Sequence, residues 1–192
     1  LGAGLVVDPF PDMLAKVPEG VHTSGLDAVA FARQGPTKVR YNVALLKEVL
    51  HHIPLTEVEA LYHGVYQQLL PGGVCVCITR PHVAQYPFFE AAHRVWRENQ
   101  PRVEEYVERM RKGGFAGVDV QEHDYSFEIR AGRWYAMVEG RFWSTFTHFT
   151  DAELAAGLTE LRARCGAGRA RALTRRMVTA VSFHALKVRR GG

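Results

Sequence analysis

Apolar positions along the first eighty residues fall by turns into short runs and helical spacings. Leu5, Val6 and Val7 form a short apolar strand that Pro9 stops, and residues 10–16 read as a short helix. "GVHTSGLDA" (20–28) predicts a brief strand and turn, and "LDAVAFARQ" continues as a helix until "GPTK" breaks the chain. "VRYNVALL" (39–46) is the next strand, and its unbroken apolar run predicts cover on both faces. Residues 56–70 predict a helix, with Val58, Leu61, Tyr62, Val65 and Leu69 on one side and Thr56-x-x-Glu59 as a capping box. Pro71-Gly72-Gly73 ends that helix, and residues 74–79 form a buried strand. Strands alternating with helices argue for a parallel α/β sheet.

The second half is less regular. Residues 88–96 and 103–112 predict helices, the latter stopped by Gly113-Gly114. Residues 115–129 read as one long strand or two short ones, and "MVTAVSFHALKV" (177–188) as a last strand. Between them, residues 132–149 are rich in aromatics, and Thr150-x-x-Glu153 caps a helix that runs to about Arg164. No internal repeat, low-complexity tract or long linker interrupts the chain, which predicts one domain over 1–192.

With 192 residues, 47% of them hydrophobic, the chain can bury a full core. No apolar run approaches the roughly 20 residues that span a bilayer, so no membrane partner is expected. Cys75, Cys77 and Cys165 make no disulfide framework. The cytoplasm is therefore the expected compartment. Cys75 and Cys77 alternate along a strand, share a face and are expected in the core, since zinc would want two further ligands. Charge is uneven: residues 161–192 hold nine Lys or Arg and no acid, while the first 160 carry 15 basic against 20 acidic groups. That asymmetry fits either a nucleic-acid surface or a solvated arginine-rich tail.

Candidate chemistry begins at "GAGLVVDPFPDML" (2–14). A phosphate-cradling glycine loop follows a strand and opens a helix, with its acid roughly 20 residues further on. Here Gly2 and Gly4 precede the strand and the acid, Asp8, lies only just beyond it. The glycines thus read as a turn, and Asp8 is the informative residue. His51 and His52 are neighbours in sequence and chelate a metal poorly. One of them facing an acceptor as a proton carrier is the better functional reading, with His51 preferred. A packed or surface histidine pair is the structural alternative.

Five segments in order carry a resemblance: "VVDPFPDML", "GLDA", "LLKEVLHHIP", "LLPGGVCVCITRP" and "RKGGFAGVDVQEHDY", with "VTAVSFHALKV" at the end. Together they resemble the class I S-adenosylmethionine-dependent methyltransferases of the small-molecule type, with Phe10 where that pattern usually has Ser. The resemblance implies a Rossmann-like α/β fold, mostly parallel, with helices on both faces and an antiparallel C-terminal strand. It also implies that the first strand, glycine loop and first helix are missing, and that about 30 to 60 further residues bearing an apolar strand and Gly-x-Gly precede Leu1. Residues 83–112 and 130–165 then correspond to substrate-side insertions.

The implied cofactor is S-adenosylmethionine and the implied activity is methyl transfer to a small-molecule acceptor. Asp8 would take the ribose hydroxyls, since a carboxylate has two acceptor oxygens; helix capping is its other reading. Met13 would lie on the adenine face or in the core. Asp27 with Ala28 would read the adenine edge, or Asp27 would cap a helix. Backbone at Lys47 and Glu48 would meet the amino-acid end. Trp134, Tyr135, Arg141 and Trp143 would wall the acceptor pocket, or the aromatics would simply pack on the sheet. An RNA acceptor held by the C-terminal arginines, and a non-catalytic remnant working through a protein partner, are the alternatives. A nicotinamide dehydrogenase fits less well, because the glycine loop it depends on is absent.

Overall fold

The expected alternation of strands and helices is present. In a computed structural model, which describes residues 4–164 and 176–189 and omits the side chains of 124–127 and 176–189, the order is β1 (Leu5–Val7), α1 (Pro11–Leu14), β2 (His22–Ser24), α2 (Ala28–Ala32), β3 (Tyr41–Lys47), α3 (Leu55–Gln68), β4 (Leu69–Thr79), α4 (Glu90–Asn99), α5 (Val103–Lys112), β5 (Val118–Arg130), α6 (Ala131–Glu139), α7 (Asp151–Arg164) and β6 (Arg176–Arg189). Short 3-10 segments occupy Leu50–His52 and Ser144–His148. β1 and β2 pair in parallel, with Leu5 opposite His22 and Val7 opposite Ser24. The other four strands form a second sheet in the order β3-β4-β6-β5. β3 and β4, neighbours in this sheet, are joined through α3. Cys165, Gly2 and four arginines of the basic C-terminal stretch, Arg169, Arg171, Arg175 and Arg190, lie outside the described residues. No described helix is long and apolar enough to cross a membrane.

The chain forms two compact units, Leu1–Cys77 with Glu104–Val120 and Leu186–Gly192, and Ile78–Val103 with Gln121–Ala185. The core of the first unit is built on α3. Its expected apolar face is buried: Val58, Leu61, Tyr62 and Val65 are all under a tenth exposed. One side of α3 packs on α2, where a side chain on Gly64 would lie 2.5 Å from the Ala32 carbonyl oxygen. Another side meets the end of α5, where Gly113 lies against Tyr62 and Arg109 donates from Nε to the Leu55 carbonyl at 2.9 Å. Buried Gln68, the last residue of α3, joins three elements: it accepts from the Tyr41 hydroxyl at 2.9 Å and donates to the Phe31 carbonyl at 3.0 Å. Burial raises the Tyr41 pKa, and nearby Cys75 adds to the rise.

Two expectations for this unit are corrected. Thr56 and Glu59 make no capping box, because Pro54 occupies the N-cap and α3 starts at Leu55. Thr56 thus falls inside the first turn, where its hydroxyl cannot cap. β3 is not covered on both faces either: Val43 is 62% and Leu45 59% exposed. β4 buries one face, with Cys75, Cys77 and Thr79 buried, while Val74, Val76 and Ile78 on the other are half-buried. It starts at Leu69, earlier than expected, with Gly72 at φ +75° taking the left-handed bend that suits glycine. Cys75 and Cys77 are fully buried on one face of β4, their sulfurs 3.8 Å apart, as the alternation predicted. Burial pushes the Cys77 thiol and the Tyr62 phenol well above their ordinary pKa values.

The second unit is held by its aromatics. Phe88, Phe89, Trp96, Trp134 and Phe146 are buried and half-buried Tyr86, Trp143 and Phe149 pack on them. Gly157 of α7 sits against the Phe89 ring, where a Cβ would approach to 2.7 Å. The Thr150–Glu153 capping box does form. The Thr150 amide donates to Glu153 Oε2 at 2.8 Å, and the Glu153 amide returns to Thr150 Oγ1 at 3.3 Å.

The α2–α3 contact yields the first test. Gly to Ala at an ordinary helix position stabilises by up to about 1 kcal/mol. At Gly64 the added methyl meets backbone, which cannot swing aside. Gly64→Ala is therefore expected to destabilise by roughly 1–3 kcal/mol, read as a lower urea midpoint with an unchanged slope. An unchanged or higher midpoint would contradict the packing.

Candidate functional site

The parallel register of β1 and β2 brings two carboxylates to the same end of the pair. Val7 is opposite Ser24, and the Asp8 amide extends the ladder by donating to the Ser24 carbonyl at 3.1 Å. Asp8 thus leaves the carboxyl end of β1, and Asp27 stands three residues past the end of β2. The carboxyl ends of parallel strands are where open sheets bind ligands.

Local bonds hold each acid in place. Asp8 Oδ1 accepts from the Phe10 amide at 2.8 Å across Pro9, and α1 then starts at Pro11. Asp27 is the N-cap of α2, and its Oδ1 accepts from the Ala30 amide at 2.8 Å. The capping reading is realised for Asp27 but not for Asp8, because Phe10 is the N-cap of α1 and Asp8 instead closes a tight turn through the Phe10 amide. Each such bond uses one of roughly four lone-pair sites on a carboxylate, so capping leaves acceptor capacity. Ala28, the first residue of α2, is half-buried beside Asp27. Met13 is 50% exposed, which removes the core reading; its sulfur accepts from Lys16 Nζ at 3.8 Å. Phe10, between Asp8 and Met13, is 66% exposed. Two exposed apolar side chains thus follow Asp8 on one short segment. The sequence reading passed over Phe10, although a bulky apolar residue beside a strand-end acid is itself a signal.

The third strand end of this unit carries Lys47, Glu48 and the histidines. Lys47 closes β3 as an exposed residue. Glu48 follows with φ 56°, in the left-handed region that non-glycine residues rarely adopt. Nothing in its residue type announces this. Buried Leu50 anchors the 3-10 turn, His51 is half-buried and His52 exposed, and their ring centroids are 4.0 Å apart with planes tilted by 45°. Both rings stand on this 3-10 turn. Asp8, Met13, Asp27, Ala28, Lys47, Glu48 and His51 all belong to the first unit.

Trp134, Tyr135, Arg141 and Trp143 belong to the second unit, and two of them are committed to its interior. Trp134 is fully buried, stacks on Tyr86 and Phe88, and donates from Nε1 to the Pro87 carbonyl at 3.2 Å. This is the packing alternative, and it leaves no ring face to wall an open pocket. Arg141, at φ 53°, turns its guanidinium onto the carbonyls of Phe146 and Phe149, the latter at 2.8 Å, and pairs with Asp151 at 2.8 Å. It is the clasp of the Ser144–His148 turn, a role that only the fold reveals. Tyr135 and Trp143 are half-buried, Tyr135 with the Arg162 guanidinium 5.5 Å from its ring.

The sequence matches no family profile and no curated protein. Solved structures do resemble the fold. An S-adenosylmethionine-dependent methyltransferase from Archaeoglobus fulgidus aligns at TM-score 0.56 and 11% identity, over 96% of this chain and 75% of its own. The YcgJ protein from Bacillus subtilis aligns at TM-score 0.58 and 12% identity, over 99% and 83%. Phosphoethanolamine N-methyltransferase 2 of Haemonchus contortus, in complex with S-adenosyl-L-methionine, aligns at TM-score 0.54 and 15% identity, over 98% of this chain but 43% of its own. The fold of the chain is thus the α/β fold of S-adenosylmethionine-dependent methyltransferases, and at these identities the likeness is one of fold.

The second test separates the clasp from its exposed ion pair. Arg141→Gln removes charge-assisted bonds to two carbonyls and is expected to cost roughly 1–3 kcal/mol. Asp151→Asn changes a fully exposed partner and is expected to stay within about 0.5 kcal/mol. Thermal unfolding of the two variants reads the difference; equal losses would contradict the assignment.

Proposed function

We propose that the protein transfers a methyl group from S-adenosylmethionine to a small-molecule acceptor, with the nucleoside held at the shared end of β1 and β2. The observation that carries this reading is the pair Asp8 and Asp27, set by one register at the carboxyl end of two parallel strands in a methyltransferase fold. The donor set suits a nucleoside. Asp8 supplies the acceptor that a ribose diol needs, with its side chain already oriented by the Phe10 amide. Asp27 and the Ala28 amide offer an acceptor and a donor for the amino and ring nitrogens of adenine. Exposed Met13 and Phe10 offer apolar surface for the base. The left-handed turn at Glu48 presents backbone of Lys47 and Glu48 for the amino-acid end, since strained backbone at a strand end often marks a functional position.

When bound, the cofactor supplies a methyl group on a sulfonium centre. The protein's part in such a displacement is to align the acceptor and take up its proton. His51 is the base assigned here, its ring steadied beside His52.

Isothermal calorimetry with S-adenosylhomocysteine tests the reading. Asp8→Asn keeps an oxygen for the Phe10 amide but loses the charge, and is expected to weaken binding at least tenfold. Asp12→Asn, one turn away on exposed α1, is expected to leave it within twofold. Equal affinities of Asp8→Asn and the unaltered protein would remove the nucleoside site.

A further inference from the structure

Among the described residues, five polar or charged side chains are buried: Gln68, Thr79, Arg80, Gln100 and Thr145. Gln68 is accounted for by its bonds to Tyr41 and Phe31. Three of the remaining four gather where the chain leaves β4 and meets the end of α4. Gln100, the C-cap of α4, donates from Nε2 to the Arg80 carbonyl at 3.1 Å and lies 3.5 Å from Thr79 Oγ1. Trp96 Nε1 donates to the Pro81 carbonyl at 3.0 Å. His82 Nδ1 meets the Gln100 carbonyl at 2.6 Å, and since a carbonyl only accepts, Nδ1 carries the hydrogen. Residues 80–82 are thus bonded one after another to the end of α4.

Arg80 is the one charged residue in this group, 7% exposed, with its guanidinium carbon 4.5 Å from the centroid of the Trp96 ring. Taking a charge out of water is costly. An apolar side chain in such a place is often neutral or stabilising by comparison, so packing on Trp96 does not by itself call for a guanidinium. Oxyanion recognition does. A guanidinium resting on a ring engages it through its face, and its edge N–H groups form the fork that matches two oxygens of a carboxylate or phosphate. Its five N–H donors leave capacity beyond bonds made within the protein. The place fits as well: Arg80 directly follows β4, and ligands of open α/β sheets bind beyond the carboxyl ends of strands. Half-buried Pro81 and His82 and exposed Val83 bring the segment to the surface within three residues.

We propose that Arg80 anchors an oxyanion site that takes the carboxylate or phosphate group of a small molecule. Trp96 and Gln100 are its positioning residues, the first under the guanidinium and the second on the Arg80 backbone. All these residues belong to the second unit, and oxyanion binding there holds or fails independently of nucleoside binding at Asp8 and Asp27.

NMR of the isotope-labelled 192-residue protein tests this by titration with inorganic phosphate and, in a second arm, sodium acetate, each against sodium chloride at matched ionic strength. The reporters are the Arg80 Nε–H and the Trp96 indole N–H, the latter tied to the Pro81 carbonyl. Both are expected to shift and saturate with one dissociation constant for at least one of the two anions, and to stay in place with chloride. Saturation by phosphate alone assigns a phosphate ligand, by acetate alone a carboxylate, and by both the shared oxyanion chemistry. Arg80→Gln is expected to weaken binding by roughly tenfold or more, and exposed Arg94→Gln on α4 to leave it within about twofold. Arg80→Lys, which keeps the charge without the fork, is expected to fall between them. The indole N–H of Trp134, fully buried in the same unit, keeps its resonance position in a folded variant. Where Arg80→Gln loses it, Arg80→Lys and the Arg80 resonance of the unaltered protein decide. Undiminished binding by a folded Arg80 variant overturns the proposal. So does a saturating shift that leaves Arg80 unmoved, an equal response to chloride, or no saturating shift with either anion.

Discussion

The packing of α2 against α3 is the constraint on which the first unit depends. β1 and β2 carry Asp8 and Asp27, β3 carries Lys47 and Glu48, and the two groups sit on separate sheets with no shared ladder. What ties them is side-chain and helix contact: Gly64 permits α3 to close on Ala32, and Gln68 bonds to both Phe31 and Tyr41. A helix contact this close fixes one distance between the two elements. The relation of the two acids to the Glu48 turn is only as firm as that contact.

The acids themselves show how one residue serves folding and chemistry together. Asp27 starts a helix and Asp8 closes a tight turn, and both uses spend a single lone pair. A bond to a nearby backbone amide orients each carboxylate. A side chain already held by a backbone amide loses less freedom on binding a ligand, which lowers the cost of recognition. The fold supplies the remaining context, and fold alone does not specify chemistry. The functional reading therefore rests on these two side chains and their register.

Local signals were readable in the sequence and tertiary ones were not. The Thr150–Glu153 box was readable because a hydroxyl and a carboxylate three residues apart need no distant partner. The α5 boundaries and the shared face of Cys75 and Cys77 followed from periodicity in the same way. The similar Thr56–Glu59 pattern failed because Pro54 had already taken the cap. The apolar run of β3 foretold a strand but not its uncovered face, since cover is supplied by other elements. Asp8 could be placed by its position after an apolar run. The left-handed backbone of Glu48 and the clasp at Arg141 could not, because neither residue type carries a turn signal. Trp134 stood in an aromatic block that fits a pocket wall or a core equally well on composition, and only packing decided between them.

The central claim is that a nucleoside binds where Asp8 and Asp27 emerge together. The amides of Phe10 and Ala30 are its reporters, since each is held by one of the two carboxylates. Titrating S-adenosylhomocysteine into the isotope-labelled protein and following amide resonances is the most direct measurement. The account predicts that Phe10 and Ala30 shift together and saturate with one dissociation constant. Shifts confined to other residues, or different constants for the two amides, would contradict it.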